Sequence, residues 1–284
     1  MGLFDGCLLA CDIDGTLLIN DYIPERNIEK IKYFVSEGGL FSLSTGRTAG
    51  AVSAVTDALD CIGPSIVANG SMIYDFKSDK ALYELFIPDS DRYIVKAVMD
   101  GCSTVGIEAH SGKKVLVLNS NQESIDHEKY ENLDALPLAF DDALGYNWNK
   151  VIYLFSNDEE SKTVKRIISQ YKHNSQFVDT SAVIYDRRRY YFEHVPSGVS
   201  KATTLKILCN MLNIKKGCCY AIGDYYNDLE MINTADIGAA LVDSPDEVKA
   251  AADVVVRDAQ SGAVADFIDY LTEIRKEAKN GRKF

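Results

Sequence analysis

Long apolar runs, histidines and basic residues are all scarce in this chain, and each shortage argues against a class of function. No apolar run approaches membrane-spanning length, so the sequence predicts no transmembrane helix. The four histidines are scattered without i, i+4 pairs, which argues against a zinc site. Acidic residues outnumber basic ones by 42 to 30, and the net charge of -12 argues against nucleic-acid and anionic-membrane partners.

Paired cysteine spacings and an N-terminal signal region are missing as well. The seven cysteines are an odd number without framework spacing, which favours reduced thiols over a disulfide scaffold. Met1-Gly2 resembles the start of a myristoylation signal, but Gly6 occupies the position that requires Ser or Thr. We therefore expect a cytoplasmic protein. Its 284 residues are enough for one large or two modest domains.

What the sequence does contain is a short apolar strand that leads directly into two carboxylates. The run Leu8–Cys11 is followed by Asp12 and Asp14, just before Gly15. At ~4 Å and an effective dielectric of ~20, two such charges repel by roughly 4 kcal/mol. A hard divalent cation with oxygen ligands, usually Mg²⁺ beside phosphate, relieves this repulsion. An ordinary strand and turn explain the run equally well, whereas a calcium loop is excluded because Leu17 replaces its central glycine.

Strand and helix patterns alternate along two separate parts of the chain. The alternation covers residues 1–84, resumes at 196–284, and predicts an α/β core with a doubly wound, Rossmann-like parallel sheet. Within it, Asn69-Gly70 between two short apolar runs predicts a β-hairpin. Residues 85–195 are richer in strand formers and predict an inserted α+β cap domain. The predicted domains are therefore a core of 1–84 with 196–284 and a cap of 85–195.

Three further segments bring polar groups to strand ends or helix starts. They are Thr45-Gly46 after the second strand, Lys201 at a helix start, and Gly223–Asp228 after a later strand. Each alone has an ordinary structural explanation: a threonine cap, a solvated lysine and an acidic helix start. Together they lie at the carboxyl ends of strands that share one edge of the predicted sheet, where open α/β sheets bind ligands.

The order of these motifs resembles a known family. Asp-x-Asp-Gly-Thr, Thr-Gly-Arg, a lysine and Gly-Asp-x-x-Asn-Asp follow one another as in the haloacid dehalogenase-like (HAD) superfamily. The inserted segment resembles the α/β cap (C2B-type) of its Cof-type, subclass IIB members. The resemblance covers nearly the whole chain and implies a Mg²⁺-dependent phosphatase.

The resemblance also implies a role for each matching residue. Asp12 is the expected nucleophile, which forms an aspartyl-phosphate, and Asp14 is the expected general acid and base. The expected Mg²⁺ ligands are Asp12, the backbone carbonyl of Asp14, Asp224 and Asp228. The expected phosphate-binding groups are Thr45, Gly46, Lys201 and Asn227, and Arg47 is a candidate substrate contact.

The expected substrate is a small phosphorylated metabolite, most plausibly a sugar phosphate. A phosphohexomutase similar to the phosphomannomutases is the alternative, but it needs a cationic cap, and Arg187–Arg189 is the one basic cluster of this acidic chain. The favoured interpretation of that cluster is solvated side chains on a cap strand. A non-catalytic binding module on the same fold is a third hypothesis, disfavoured because the motif residues are retained.

Two segments depart from the family pattern beside the expected site. Val242 and Asp243 stand where relatives often carry Gly and Asn, and Ser261 stands where Asp is usual. Asp243 either narrows the substrate range or caps the following helix, and we favour the cap. The sequence does not determine the role of His110, the substrate or the oligomeric state.

Overall fold

The computed structural model describes residues 2–19, 22–184 and 187–279. The chain divides into two units. The first comprises Met1–Gly46, Val52–Tyr83 and Ser200–Phe284, and the second comprises Arg47–Ala51 and Glu84–Val199. The second unit is therefore mostly one continuous insertion into the sequence of the first. Whether the units act as catalytic core and cap, with the predicted boundaries, stays a prediction.

Strands and helices alternate along the first unit. Numbered along the whole chain, they are β1 (Leu8–Cys11), α1 (Glu25–Ser36), β2 (Leu40–Leu43), α2 (Ser53–Ala58), β3 (Ser65–Val67), β4 (Met72–Asp75), β5 (Lys80–Glu84), α7 (Lys201–Met211), β12 (Cys219–Gly223), α8 (Leu229–Thr234), β13 (Ile237–Leu241), α9 (Asp246–Ala251), β14 (Val254–Val256) and α10 (Ala263–Lys279).

The main sheet of the first unit is parallel, with the strand order β14-β13-β12-β1-β2. β1 is central: Leu8 pairs with Cys219 of β12 on one side and with Leu40 of β2 on the other. All four residues of β1 are buried, as its uninterrupted apolar sequence predicts for a strand covered on both faces. The predicted α/β class with a parallel sheet is confirmed.

Helices cover both faces of this sheet. Leu9 and Cys11 face a core that includes Phe34 of α1 and Phe267 of α10. Leu8 and Ala10, which point to the opposite face, pack in a cluster with residues of α7 and α8. The unit is thus doubly wound.

The predicted hairpin forms, but its strands lie outside the main sheet. β3 and β4 pair antiparallel, with Val67 opposite Met72, and β5 extends them to a separate three-stranded sheet. A parallel bridge between Ser44 and Ile66 links β3 to the end of β2. β3 therefore lies next to the end of β2, but the two strands do not form a regular hydrogen-bonded ladder.

The second unit contains the remaining elements. They are α3 (Asp89–Gly101), β6 (Gly106–Ser111), β7 (Lys114–Asn119), α4 (Gln122–Glu131), β8 (Ala135–Pro137), α5 (Phe140–Ala143), β9 (Lys150–Leu154), α6 (Asp158–Ile168), β10 (Ser175–Ile184) and β11 (Arg187–Pro196).

The sheet of the second unit is mixed. Its order is β10-β11-β9-β6-β7-β8, antiparallel except for the parallel pair β7 and β8. One face packs on apolar residues of α3 and α6 around the fully buried Trp148 and Tyr153. This mixture of layers confirms the predicted α+β character of the insertion.

Two further predictions concern the chain as a whole. Among the described helices, none is both long and apolar enough to cross a membrane. All seven cysteines are free thiols, as their spacing predicted.

Candidate active site

The carboxyl end of β1 places two acidic side chains in different surroundings. The amide of Asp12 still belongs to the sheet ladder, because it donates to the carbonyl of Ile222 at 3.0 Å. The Asp12 side chain is consequently buried, whereas Asp14, two residues further, is exposed. The pair that the sequence places together therefore offers one shielded carboxylate and one that solvent reaches.

The turn after Asp14 is shaped around a distant carboxylate. The hydroxyl of Thr16 donates to Asp224 Oδ1 at 3.0 Å, and Thr16 itself is fully buried. Gly15 has φ of +87°, and a Cβ there would lie 2.7 Å from Asp224 Oδ2. Only glycine therefore suits this position, both for its backbone and for the close approach of Asp224.

The end of β12 supplies two more carboxylates. Asp224 and Asp228 flank a short turn, in which Asp228 Oδ2 accepts from the amides of Asp224 and Tyr225, both at 3.3 Å. Asp12, Asp224 and Asp228 each offer an oxygen, and these oxygens lie within 4.8 Å of one another. Since β1 and β12 are neighbours, the sheet itself brings this cluster together.

Lys201 is the buried cation of the cluster. It is the first residue of α7, which begins at the capping box of Ser200 and Thr203. Its ammonium donates to Asp12 Oδ1 and to Asp228 Oδ1, both at 2.6 Å, and the side chain is 1% exposed. The helix start therefore fixes the lysine on the carboxylates rather than in solvent.

The electrostatics of the cluster show an excess of negative charge. Burial raises the pKa of Asp12 well above its usual range, and the charge of Asp228 raises it further. The same two causes raise the pKa of Asp224 to about 7. Burial disfavours the charged form of Lys201, but Asp12 and Asp228 outweigh it and raise its pKa. One ammonium does not neutralise three carboxylates, so this all-oxygen donor set fits a hard divalent cation such as Mg²⁺.

Thr45 and Gly46 follow the strand next to β1. The amide of Ser44 donates to the carbonyl of Cys11 at 2.8 Å, and the amide of Thr45 donates to Ile66 at 3.0 Å. The Thr45 side chain is fully buried. The segment therefore begins beside the residue that precedes Asp12, at the edge of the sheet that carries the carboxylates.

The remaining predicted residues are placed less centrally. Asn227 lies in the turn between Asp224 and Asp228 with an exposed side chain. Asp14 is not part of the three-carboxylate group, and the predicted metal contact was through its backbone carbonyl. Arg47 belongs to the second unit, where its guanidinium donates to the carbonyl of Ala51 at 3.2 Å.

The structure also bears on the undetermined positions. Arg189 forms ion pairs with Glu123 and with Asp126, the latter at 3.2 Å, so it is engaged within the second unit rather than solvated. The side chains of Arg187 and Arg188 lie outside the described residues. His110 is buried, with Nε2 3.5 Å from Glu108 Oε2.

The prediction that Asp243 caps the following helix is wrong. Helix α9 begins after Pro245, which makes no side-chain capping bond, and Asp243 is exposed two residues before it. Ser244 is the residue that satisfies a local amide, because its hydroxyl accepts from Leu241 at 3.1 Å.

Sequence reasoning assigned no role to two residues that the structure brings to the site. Thr16 belongs to the quoted motif, and its buried bond to Asp224 spans 208 positions of the chain. Asn69 was interpreted only as a turn residue, yet its side-chain oxygen lies 3.1 Å from where a Cβ of Gly46 would be. The available signal was its position just after β3, beside the other strand ends.

The comparisons with known proteins agree with this geometry. The chain is 26% identical to the 5-amino-6-(5-phospho-D-ribitylamino)uracil phosphatase YwtE of Bacillus subtilis, over 93% of this chain and 97% of that protein. A haloacid dehalogenase-like hydrolase from Bacteroides thetaiotaomicron has a similar fold, with a TM-score of 0.80, 22% identity, and coverage of 93% and 99%. The HAD subclass IIB sugar phosphatase BT4131 is similar in fold as well, with a TM-score of 0.77, 21% identity, and coverage of 93% and 98%.

A family model supplies the assignment. The model described as haloacid dehalogenase-like hydrolase matches residues 9–268, nearly the whole chain. This match confirms the resemblance to the HAD superfamily and its Cof-type members that the four motifs indicated, and with it the prediction of an enzyme. The chain belongs to the haloacid dehalogenase-like hydrolase family.

Proposed function

We propose that this protein is a Mg²⁺-dependent phosphatase that hydrolyses phosphomonoesters of small metabolites, with sugar phosphates as the expected class. The observation that carries the proposal is the buried group of Asp12, Asp224 and Asp228 with Lys201, whose charges do not balance. Asp12, Asp224 and Asp228 would hold a divalent cation, which would supply the missing positive charge beside the nucleophile and the phosphoryl group. The name of the Bacillus subtilis relative supports a phosphorylated small-molecule substrate.

The proposed chemistry uses the two carboxylates of β1 in turn. An oxygen of Asp12 attacks phosphorus, the bond from phosphorus to the ester oxygen breaks, and Asp14 gives its proton to the departing oxygen. Asp14 then takes a proton from water, whose oxygen attacks the phosphorus of the aspartyl-phosphate and releases Asp12 and inorganic phosphate. The exposed position of Asp14 suits a group that exchanges protons with water, and the burial of Asp12 suits a nucleophile shielded from it.

The other residues position the transferring group. Lys201 carries a positive charge that faces the Asp12 carboxylate, and Thr45 with the Gly46 amide lies at the adjacent strand end. Phosphoryl transfer requires little covalent chemistry beyond the nucleophile, so positioning and charge neutralisation dominate the rate. Asn227 is the proposed contact at the edge of the phosphoryl group, and Arg47 is a proposed substrate contact.

The test is release of inorganic phosphate from a panel of sugar phosphates, nucleotides and cofactor phosphates, including the compound named for the Bacillus subtilis relative. Each compound is assayed with Mg²⁺, with EDTA, and with the Asp12→Asn variant, with the exposed Asp60→Asn as matched control. We expect Mg²⁺-dependent release that Asp12→Asn abolishes and Asp60→Asn retains. Release that survives Asp12→Asn would overturn the proposal.

Product analysis separates the alternatives. Isomerised sugar phosphate with little free phosphate would identify a phosphohexomutase. Tight ligand binding without turnover of any compound would identify a non-catalytic module. Cytoplasmic location and the absence of nucleic-acid or membrane partners stay predictions from composition.

A further inference from the structure

The turn that joins β3 to β4 has an unusual backbone. Ala68, Asn69 and Gly70 have φ angles of 51°, 53° and 101°. The left-handed region disfavours residues that carry a Cβ, and asparagine tolerates it better than alanine does. A disfavoured conformation of this kind persists only where surrounding contacts determine it.

Contacts from two sides hold this turn. The amide of Asn69 donates to the carbonyl of Thr45 at 3.0 Å. On the other side, the hydroxyl of Thr204 in α7 donates to the carbonyl of Gly70 at 2.7 Å. The fit is close, because a Cβ at Gly70 would lie 2.4 Å from the carbonyl oxygen of Ser200. The turn is therefore clamped between the Thr45-Gly46 segment and the first turn of the helix that begins at Lys201.

The side chain of Asn69 occupies the space that residue 46 leaves open. A Cβ at Gly46 would lie 3.1 Å from Asn69 Oδ1 and 3.2 Å from Nδ2. Both polar atoms of the Asn69 amide thus lie against the side of Gly46 that a Cβ would occupy. A Cβ at residue 46 would require this amide to shift by a few tenths of an ångström, and φ at Gly46 is not in the left-handed region.

We propose that Asn69 is a positioning residue of the phosphoryl-binding loop. Its side-chain amide fixes the backbone of Thr45-Gly46, and its turn couples that segment to the start of the Lys201 helix. The inference rests on the proposed phosphatase function, because it assigns Asn69 to the segment that binds the transferring phosphoryl group there.

The first test removes only the amide. Asn69→Gly keeps a left-handed backbone, because glycine adopts positive φ without strain. Asn213→Gly is the matched control, since Asn213 also has positive φ, at 52°, but is exposed beyond the end of α7. We expect Asn69→Gly to raise KM and the inhibition constant of inorganic phosphate about tenfold, because a displaced Thr45-Gly46 segment would lose a hydrogen bond to the charged phosphoryl group, with a smaller change in kcat. Asn213→Gly should leave both constants unchanged.

The second test measures the coupling between the two positions. Gly46→Ala places a methyl group against the Asn69 amide, so it should raise KM strongly in the parent protein. In the Asn69→Gly background the same methyl group has room, and its effect should be several-fold smaller. Additive effects of the two substitutions would show that the amide and the Gly46 backbone are not coupled, which would overturn the proposal.

The outcomes separate this inference from the proposed function. Unchanged KM and phosphate inhibition in Asn69→Gly, or a lower kcat alone with a lower Tm, would assign Asn69 a purely structural role and overturn the positioning role. Titration calorimetry with inorganic phosphate repeats the comparison of parent and Asn69→Gly without turnover. Failure of the proposed function shows itself differently, as phosphate release by the parent that does not depend on Asp12.

Discussion

In the first unit three carboxylates surround one buried ammonium, whereas in the second unit two carboxylates flank the buried imidazole of His127. In the first unit Lys201 bonds Asp12 and Asp228, and Asp224 lies within the same group. Burial and mutual repulsion raise the pKa values of Asp12 and Asp224. The surrounding protein groups therefore do not fully neutralise the negative charge of these carboxylates.

In the second unit, the charge of His127 is matched by two neighbouring glutamates. His127 Nδ1 lies 2.8 Å from Glu108 Oε2, and His127 Nε2 lies 3.5 Å from Glu131 Oε1. Burial alone would raise the pKa of Glu108, but the charges and hydrogen bonds of His127 and His110 together outweigh it and lower that pKa to about 2. Burial likewise opposes the charge on His127, and the two glutamates outweigh it and raise its pKa to about 10.

The comparison shows that burial of charge does not by itself identify a functional site. In the second unit the carboxylate pKa falls, as in a stable ion pair that joins α4 to β6. In the first unit the carboxylate pKa rises, because burial and the neighbouring carboxylates outweigh the one ammonium of Lys201. Carboxylates whose pKa is raised in this way are typical of sites that bind a ligand or perform chemistry.

The largest expected difference between the clusters is in catalysis. Lys201→Met should lower kcat by about 100- to 1000-fold, since it removes a preorganised charge beside the nucleophile. Lys150→Met is the matched control, because Lys150 is also a buried lysine, 3.4 Å from Glu193 Oε1 in the second unit. Phosphate-release kinetics of both variants check the prediction. Equal losses of kcat would show that the effect is not specific to the cluster around Lys201.

The next difference is in stability. Glu108→Gln leaves the His127 cation with Glu131 alone and should lower the free energy of unfolding of the second unit by about 3 kcal/mol. Urea titration followed by the fluorescence of Trp148, the single tryptophan of the chain and buried in this unit, measures it. Glu159→Gln is the control, because its pair with Lys162 is exposed and should contribute far less. Equal effects of the two variants would contradict a buried ion pair.

The last expected effect is a pH dependence of the free energy of unfolding. The pKa of His127 is about 10 in the folded protein and near 6.5 when unfolded, so the folded state binds more protons between these values. Its contribution is therefore complete below pH 6.5 and is lost as the pH rises towards 10. Urea midpoints from Trp148 fluorescence at pH 6, 8 and 10 test this, and His127→Gln should flatten the slope. An identical slope in that variant would refute the assignment to His127.

Much of the first unit was predictable because its signals are local. The apolar run Leu8–Cys11 predicts a strand covered on both faces, and helical periodicity predicts α7 and α10 with nearly the observed bounds. Once the strands are parallel, their carboxyl ends share an edge, so polar residues that follow them become neighbours without further information. The approach of Asp12 to Asp224 was predictable for this reason.

The sequence predictions failed or were incomplete at three places, one decided by a local alternative and two decided by long-range contacts. Asp243 was expected to cap α9, but the chain reaches that helix through Pro245, and the local bond falls to Ser244. The Asn69-Gly70 pair indicated a hairpin turn, yet nothing in its sequence shows that the turn packs against Thr45 and α7. Arg189 looked like a solvated side chain, and only the fold brings α4 close enough to pair with it.

The sequence by itself determined which polar residues follow the strands β1, β2 and β12 of the main sheet, and the family to which the chain belongs. Both depend on apolar periodicity and motif order, which are properties of neighbouring positions. The tertiary structure alone decided which buried charges are satisfied and which are not. A pKa depends on burial and on charges within a few ångströms, and those come from segments as distant as Asp12 and Lys201, 189 positions apart in the chain.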